Sequence, residues 1–180
     1  TWNVPYEDGT ITAKAWDADG KEIDLDTVDG RTFVTTTGEE AKLEAEADRT
    51  EIAADGKDLS YITVDITDKD GNIVPDADNN VKFAVEGDGK LVGIDNGKQD
   101  DHQSYQDDNR DAFSGSLVAI VQSTKNAGEF TVTASAEGLE SAAVTVKTAP
   151  VDAGTGDTVL SYYLMSSNYY VKAGNMPQLP

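Results

Sequence analysis

Segments in which hydrophobic and polar residues alternate recur along most of the chain. The clearest is LSYITVDIT, residues 59–67, where Ile62, Val64 and Ile66 take every second position. Because alternate side chains of a strand point to opposite faces, this segment predicts a strand with one buried and one solvated face. The same period of two recurs at four further places, which are residues 10–16, 80–87, 129–136 and 142–148.

The segment GEEAKLEAEADRTEI, residues 38–52, is rich in helix formers and leaves two interpretations. A strand would place four apolar residues on one face, namely Ala41, Leu43, Ala45 and Ala47. A helix would be interrupted at residues 48–50, Asp-Arg-Thr, before it gained much packing. We therefore predict a strand.

Turn sequences separate the predicted strands. Residues 17–22, DADGKE, and 68–74, DKDGNIV, both centre on Asp-Gly, a pair typical of hairpins with a two-residue loop and positive φ. Residues 86–90, EGDGK, and 126–129, NAGE, are similar. Strands that recur about every 8 to 12 residues, with little helix between them, indicate an antiparallel sandwich.

The distribution of strands predicts the organisation of the chain. Residues 1–38 hold two or three strands, too few for a sandwich of their own. Residues 39–148 hold about seven, the size of one immunoglobulin-like domain. Residues 149–157 are a linker, and residues 158–180 start a further β unit. The predicted fold class is all-β: one immunoglobulin-like antiparallel β-sandwich with partial flanking β units.

Four tyrosines cluster in the last segment, namely Tyr162, Tyr163, Tyr169 and Tyr170. We expect them to be strand residues that pack on the preceding domain. A platform for sugar rings is the alternative.

The net charge of -20, from 34 acidic and 14 basic residues, narrows the range of partners. A field of this sign repels phosphate backbones and anionic lipid headgroups, so we expect neither nucleic acid nor a membrane as partner. No apolar run approaches the length of a membrane span. The chain has no cysteine and no initiator Met, so we expect a fragment of a longer protein held together without disulfides.

Residues suited to catalysis or metal binding do not form a recognisable pattern. There is one histidine, His102, and no serine lies in a Gly-x-Ser-x-Gly elbow. No Gly-rich loop ends in Lys-Ser or Lys-Thr. The turn at residues 68–71 does not match an EF-hand, because Ile66 occupies an expected ligand position. The sequence predicts no catalytic residue, no metal ligand and no cofactor.

A long polar loop, GIDNGKQDDHQSYQDDNRDAFSG, spans residues 93–115 and holds the candidate binding residues His102, Tyr105 and Arg110. Three interpretations stay open: a structural or interdomain docking loop, a glycan contact with Tyr105 as platform, and a calcium site built from the loop carboxylates. In the structural interpretation Arg110 clamps carboxylates in bidentate fashion and Phe113 plugs the end of the sandwich.

Two longer patterns resemble known families. Residues 54–97 resemble the intimin/invasin type of bacterial immunoglobulin-like repeat. Their sequence is ADGKDLSYITVDITDKDGNIVPDADNNVKFAVEGDGKLVGIDNG. Residues 1–148 resemble the region that follows the barrel in secreted β-galactosidases of glycoside hydrolase family 2. The likeness is to the streptococcal surface type of these enzymes. That resemblance is carried by TWNVPYEDGTITAKAWDADGKEI, KLEAEADRTEIAADGKDLSYITVDITDKDGNIVPDADNNVKF, VGIDNG and RDAFSGSLVAIVQS. The tail YYVKAGNMPQLP is similar to the small immunoglobulin-like repeats that follow in these enzymes.

The resemblance implies an accessory role in a larger enzyme. Residues 1–38 would be the C-terminal part of a preceding small β-sandwich, and residues 158–180 the start of a further immunoglobulin-like repeat. The family's catalytic glutamates lie in the barrel, which this chain lacks, so the chain alone would not be an enzyme and its parent would be a retaining β-galactosidase.

The same resemblance implies partners and a location. We expect the partners to be the catalytic and neighbouring domains of the parent chain, in an extracellular protein that is secreted or attached to a Gram-positive cell wall. The alternative function is a carbohydrate-binding or adhesive module for galactose-terminated glycans.

Overall fold

The computed structural model describes residues 5–23 and 33–151. Regular structure in these ranges consists of β-strands, and neither range contains a helix. In chain order the strands are β1 (Thr10–Thr12), β2 (Phe33–Thr35), β3 (Lys42–Ala47), β4 (Glu51–Ala53), β5 (Leu59–Thr67), β6 (Asn80–Gly87), β7 (Gly89–Asp95), β8 (Asn109–Asp111), β9 (Ser116–Ser123), β10 (Gly128–Ser135) and β11 (Ala142–Ala149). Accordingly, the described ranges hold no helix that is long and apolar enough to cross a lipid bilayer.

The strands from β3 onward form two facing sheets. One sheet has the order β3-β5-β9-β7, and the other has the order β4-β11-β10-β6-β8. Neighbouring strands are antiparallel, except that β4 and β11 are parallel. The first sheet corresponds to strands A, B, E and D of an immunoglobulin domain, and β6, β10 and β11 correspond to C, F and G. The predicted immunoglobulin-like β-sandwich is confirmed.

The hydrophobic core lies between these sheets. Ile62, Val64 and Ile66 of β5 are fully buried, whereas Tyr61 and Thr63, on the other face of the strand, are exposed. The opposite sheet contributes the buried residues Val81, Phe83, Phe130, Val132, Ala134 and Val146. Full burial of one such side chain contributes about 1.5–3 kcal/mol. The alternating pattern in the sequence therefore marks residues that stabilise the fold.

The segment with helix-forming composition is a strand, as predicted. Leu43 of β3 is buried and lies opposite Ile66 of β5. The interruption at residues 48–50 is the point where the chain passes from one sheet to the other, since β4 pairs with β11. Asp48 supports this passage because its carboxylate accepts hydrogen bonds from the backbone N–H of Tyr61 at 2.8 Å and from the Ser60 hydroxyl at 3.1 Å.

The two Asp-Gly turns close loops of three residues rather than the predicted two. The Asp68 N–H donates to the Asn72 carbonyl at 2.9 Å, and the Gly71 N–H donates to the Asp68 carbonyl at 3.1 Å. Gly71 has a positive φ of 85°, as expected for the left-handed residue that follows a type I turn in a three-residue hairpin loop. The turn that begins at Asp17 repeats these bonds with Gly20 and Lys21.

The other two Gly-containing turns are not hairpins within one sheet. Residues 86–90 join β6 to β7, and residues 126–129 join β9 to β10. In both cases the two strands belong to different sheets. The prediction that these turns resemble the Asp-Gly hairpins was wrong, because a turn sequence does not show which strand the chain pairs with next.

The N-terminal strands form a separate two-stranded sheet. Ile11 of β1 lies opposite Val34 of β2, and both side chains are mostly exposed. The strand predicted over residues 10–16 is shorter, since β1 ends at Thr12 and Trp16 forms an isolated bridge with Glu22.

Some predictions fall outside the described residues. The tyrosine cluster and most of the linker lie there, so the boundaries at 1–38, 39–148, 149–157 and 158–180 stay predictions.

Candidate functional site

The long loop closes one side of the sandwich. It runs from β7, at the edge of one sheet, to β8, at the edge of the other. The Tyr105 carbonyl accepts a hydrogen bond from the Ile94 N–H of β7 at 2.8 Å. The Asp108 carbonyl accepts one from the Phe83 N–H of β6 at 2.7 Å. The loop therefore pairs with backbone groups of both sheets at a side where strand edges would otherwise be open.

Arg110 joins the two sheets beneath this loop. It lies opposite the core residue Val81, and its side chain is 0% exposed. Its Nη1 donates to the Gln103 carbonyl at 3.3 Å and to the Ile94 carbonyl of β7 at 3.4 Å. Its Nη2 lies 3.0 Å from Oδ2 of Asp101. The predicted bidentate clamp is thus replaced by one contact to a carboxylate and two to carbonyls, and this arrangement ties β8 to β7.

Asp101 supplies the charge that balances Arg110. Its Oδ1 accepts a hydrogen bond from the Gln103 N–H at 2.8 Å, and its Oδ2 accepts one from the Asn96 side-chain amide at 2.7 Å. The Gln103 amide, followed by the Asn96 side chain and the Arg110 charge, holds the pKa of Asp101 below its ordinary value. The carboxylate therefore stays ionised next to the guanidinium group.

Two amide side chains complete the network. Gln103 Oε1 accepts from the Asp111 N–H at 3.0 Å, and Gln103 Nε2 donates to Oδ2 of Asp111 at 2.6 Å. The Asn96 side chain also donates to the Asp111 carbonyl at 2.9 Å. The sequence analysis missed these roles of Asn96 and Gln103. No hydrophobic pattern marks the centre of the network in the sequence, because the buried residue there is the cation Arg110.

The three candidate binding residues lie in different environments in the structure. Tyr105 and Arg110 come together, with the guanidinium carbon 4.4 Å from the ring centroid, a distance typical of a cation–π contact. Tyr105 is 54% exposed, and His102 is also exposed. Phe113 is 44% exposed, so the prediction that it plugs the sandwich was wrong, and the adjacent Ala112 is the buried residue. The binding of a ligand by His102, Tyr105 and Arg110 stays a prediction.

The loop carboxylates do not assemble as a cation site. Within residues 5–23 and 33–151, no group of three or more Asp, Glu, His or Cys side chains is arranged to hold a metal ion. Two of the aspartates instead accept hydrogen bonds from nearby backbone amides: Asp95 from Gly97 and Asp101 from Gln103. This arrangement gives the calcium interpretation no support.

The electrostatics of the sandwich carboxylates differ from those of a general acid. The pKa lies below its ordinary value for five of them, which are Asp55, Asp58, Asp68, Asp101 and Asp108. The largest cause is a hydrogen bond from a backbone amide, except at Asp108, where it is the Asn109 side chain. A carboxyl group that protonates a leaving group at neutral pH needs a raised pKa. These five groups are suited to accepting structural hydrogen bonds.

Together these features define a class of module: an immunoglobulin-like sandwich in which a polar cluster beneath the long loop links its two sheets. Comparison with known proteins assigns this module to a family. Residues 43–145 match the family described as glycoside hydrolase family 2 C-terminal domain 5, and the chain belongs to this family.

Similar proteins are large enzymes of which this chain matches a part. It is 35% identical over 145 residues to β-galactosidase BoGH2A of Bacteroides ovatus, a match that covers 81% of this chain and 16% of that protein. A glycoside hydrolase family 2 crystal structure from Bacteroides cellulosilyticus superimposes with a TM-score of 0.74 at 34% identity, covering 82% of this chain and 18% of that one. A putative β-glucuronidase of Formosa agariphila is 26% identical over 136 residues, covering 75% of this chain and 12% of that protein.

These findings confirm the resemblance to glycoside hydrolase family 2 and leave the resemblance to one type of β-galactosidase within it open. The chain spans about a sixth of the length of the Bacteroides ovatus relative and is a C-terminal domain of glycoside hydrolase family 2. None of the relatives described here is a streptococcal enzyme, so the narrower likeness to streptococcal surface enzymes gains no support from them.

Proposed function

We propose that this chain is an accessory spacer in a secreted β-galactosidase of glycoside hydrolase family 2. The parent enzyme hydrolyses terminal β-galactosides with retention, and the sandwich holds the catalytic barrel at a fixed position relative to the following domains. Galactosides are favoured over glucuronides because the relative named a β-galactosidase is 35% identical and the putative β-glucuronidase is 26% identical. An extracellular location, secreted or attached to a Gram-positive cell wall, is part of this proposal.

The observation that carries the proposal is the structural role of the arginine in the long loop. This arginine is fully buried on β8, where its guanidinium group donates to the Ile94 carbonyl of β7 in the facing sheet and lies 3.0 Å from the Asp101 carboxylate of the loop. A spacer needs a rigid body, and the buried network supplies that rigidity.

The N-terminal segment supports the same function. We place residues 1–38 in the C-terminal part of a preceding small β-sandwich of the parent enzyme. Its two-stranded sheet is too small to be stable alone, and it exposes several large apolar side chains: Tyr6, Ile11, Trp16, Phe33 and Val34. Strands of the parent protein would cover these side chains.

The second candidate function is binding of galactose-terminated glycans, and one observation favours it. Tyr105 presents a half-exposed ring that rests on the guanidinium group of Arg110, and the exposed face of this ring would stack on a pyranose ring.

A glycan array probed with the purified chain tests both functions. The spacer function predicts no binding to galactose-terminated glycans above background and no turnover of a chromogenic β-galactoside. A specific galactose signal that Tyr105→Ala abolishes would establish the binding module instead. A stability measurement on Tyr105→Ala ensures that loss of signal is not loss of folding.

A further inference from the structure

We propose that Asp68 is the positioning residue of the junction between the N-terminal β unit, residues 5–23 and 33–37, and the sandwich, residues 39–149. In this role it makes the connection rigid. The inference rests on the spacer function proposed above, since a spacer transmits position only if its junctions do not bend.

Asp68 has two carboxylate oxygens with different tasks. Its Oδ1 accepts hydrogen bonds from the backbone N–H groups of Asp70 and Asn72, both at 2.9 Å, and so shapes its own turn. Its Oδ2 accepts from the backbone N–H of Gly38 at 2.9 Å, thirty residues earlier in the chain, and from the Asn72 side chain at 3.1 Å. The second oxygen therefore ties the segment between β2 and β3 to the end of β5.

The turn that begins at Asp17 is an internal comparison. It has the same Asp-x-x-Gly sequence, and Asp17 Oδ1 accepts from the backbone N–H groups of Asp19 and Lys21 at 3.0 and 2.9 Å. Asp17 is exposed, and among the described residues its carboxylate accepts bonds only from its own turn. A turn of this kind thus requires one carboxylate oxygen, and the contact of Asp68 to Gly38 is an addition to it.

The surroundings of Asp68 strengthen this contact. The residue is 2% exposed, and a Cβ built on Gly38 would lie 3.6 Å from Cβ of Asp68, an ordinary packing distance. The Gly38 amide, then Asn72, holds the pKa of Asp68 well below its usual range, so the group is a carboxylate at neutral pH. The pKa of Lys42 on β3 is raised chiefly by its hydrogen bond to Glu44, and the Asp68 charge adds to this effect. A hydrogen bond to a buried carboxylate is stronger than one between neutral groups.

The N-terminal β unit also lies beside the turn that Asp68 begins. A groove of about 270 Å³ runs between them, lined on one side by β2 and Thr37 and on the other by Gly71, Asn72 and Ile73. Along the groove the two sides do not pack closely on each other. In the proposed junction, the bond from Gly38 to Asp68 is the contact that holds the angle of the unit.

Amide hydrogen exchange on the full chain tests the inference, with Asp68→Asn compared with the matched control Asp17→Asn. The asparagine retains one oxygen for the turn but places an NH₂ group toward the Gly38 N–H, so the junction bond is lost. We expect exchange at residues 36–38 to accelerate at least about tenfold in Asp68→Asn, the lower range for losing a hydrogen bond to a charged group. In Asp17→Asn it should not change. Exchange in β5 should stay slow in both variants, which separates loosening of the junction from unfolding.

A second variant keeps the test decisive if Asp68→Asn does not fold. Gly38→Pro removes the donor instead of the acceptor, at a position outside the strands, and should accelerate exchange at residues 36 and 37 to a similar extent. Combining both changes should add little, because they remove the same bond. Unchanged exchange at residues 36–38 in a folded Asp68→Asn variant would overturn the proposal. This result does not depend on whether the chain binds glycans, so it can fail independently of the spacer function.

Discussion

Gly89 shows how strongly a single position can be constrained at the residue scale. It follows the crossing from β6 to β7, where the chain passes between sheets. A Cβ built on Gly89 would lie 2.6 Å from Cγ of Phe130 and 2.8 Å from its Cδ1, and Phe130 is fully buried. Contacts this short do not occur between real carbon atoms, so an alanine would force the ring or the backbone to move.

We therefore expect Gly89→Ala to lower the free energy of unfolding by about 1–3 kcal/mol, the usual cost of overpacking a core. Gly93→Ala in the same strand is the matched control, because its Cβ would meet its nearest atom, the Tyr105 carbonyl oxygen, at 3.5 Å. That control should change stability by less than about 1 kcal/mol. Urea denaturation of the three proteins measures the difference, and equal stabilities for both variants would contradict the packing found at Phe130.

At the scale of elements, the strands differ in how far the sequence predicts them. β5 is recognisable because Ile62, Val64 and Ile66 follow the period of the strand and all face the core. β8 is not, because its inward residue is Arg110, and a hydrophobic pattern cannot mark a buried cation. Its place in the sheet depends on the pairing of Arg110 with Val81, which the tertiary fold determines and the local sequence does not show.

The candidate site likewise contains residues that the sequence predicts and residues whose roles only the structure reveals. Tyr105 and Arg110 were identified by residue type and do contact each other. The roles of Asn96 and Gln103 depend on the path of the loop, which brings both side chains to Asp111. Side-chain amides are common in solvated loops, so their identity alone did not distinguish structural from exposed positions.

The buried network of the loop leads to a prediction for the whole element. Arg110→Ala removes the cation that balances the Asp101 charge and the donor to two carbonyls, so we expect a loss of about 3–5 kcal/mol in the free energy of unfolding. Lys82→Ala is the control, because Lys82 forms an exposed ion pair with Asp108, in the same loop, at 3.4 Å. Exposed pairs contribute little, so the control should leave the urea midpoint nearly unchanged.

A ligand-binding function for Arg110 gives the opposite expectation. A side chain kept for binding can be removed at small cost in stability, with the loss seen in affinity. If Arg110→Ala has the same urea midpoint as the unmodified chain, the network does not brace the sandwich, and the observation that carries the spacer function is lost.

At the scale of the whole molecule, two properties oppose each other. The net charge of -20 keeps molecules apart at low ionic strength. The N-terminal β unit exposes apolar side chains, among them Ile11 at 60% and Val34 at 67%, which are neighbours across β1 and β2. If this unit belongs to a larger sandwich of the parent enzyme, its apolar surface is available for association once the charge is screened.

We therefore expect the 180-residue chain to associate with itself as salt is raised. Raising the ionic strength from about 0.01 M to about 1 M shortens the Debye length from about 30 Å to about 3 Å, while apolar contacts persist. Sedimentation velocity should show the average mass moving from monomer toward dimer. The double variant Ile11→Ser/Val34→Ser should stay monomeric, whereas Tyr105→Ser, which removes an exposed aromatic residue from the sandwich, should associate like the unmodified chain. A chain that remains monomeric in about 1 M salt would contradict the placement of residues 1–38 in an incomplete sandwich, because the apolar surface would then need no partner.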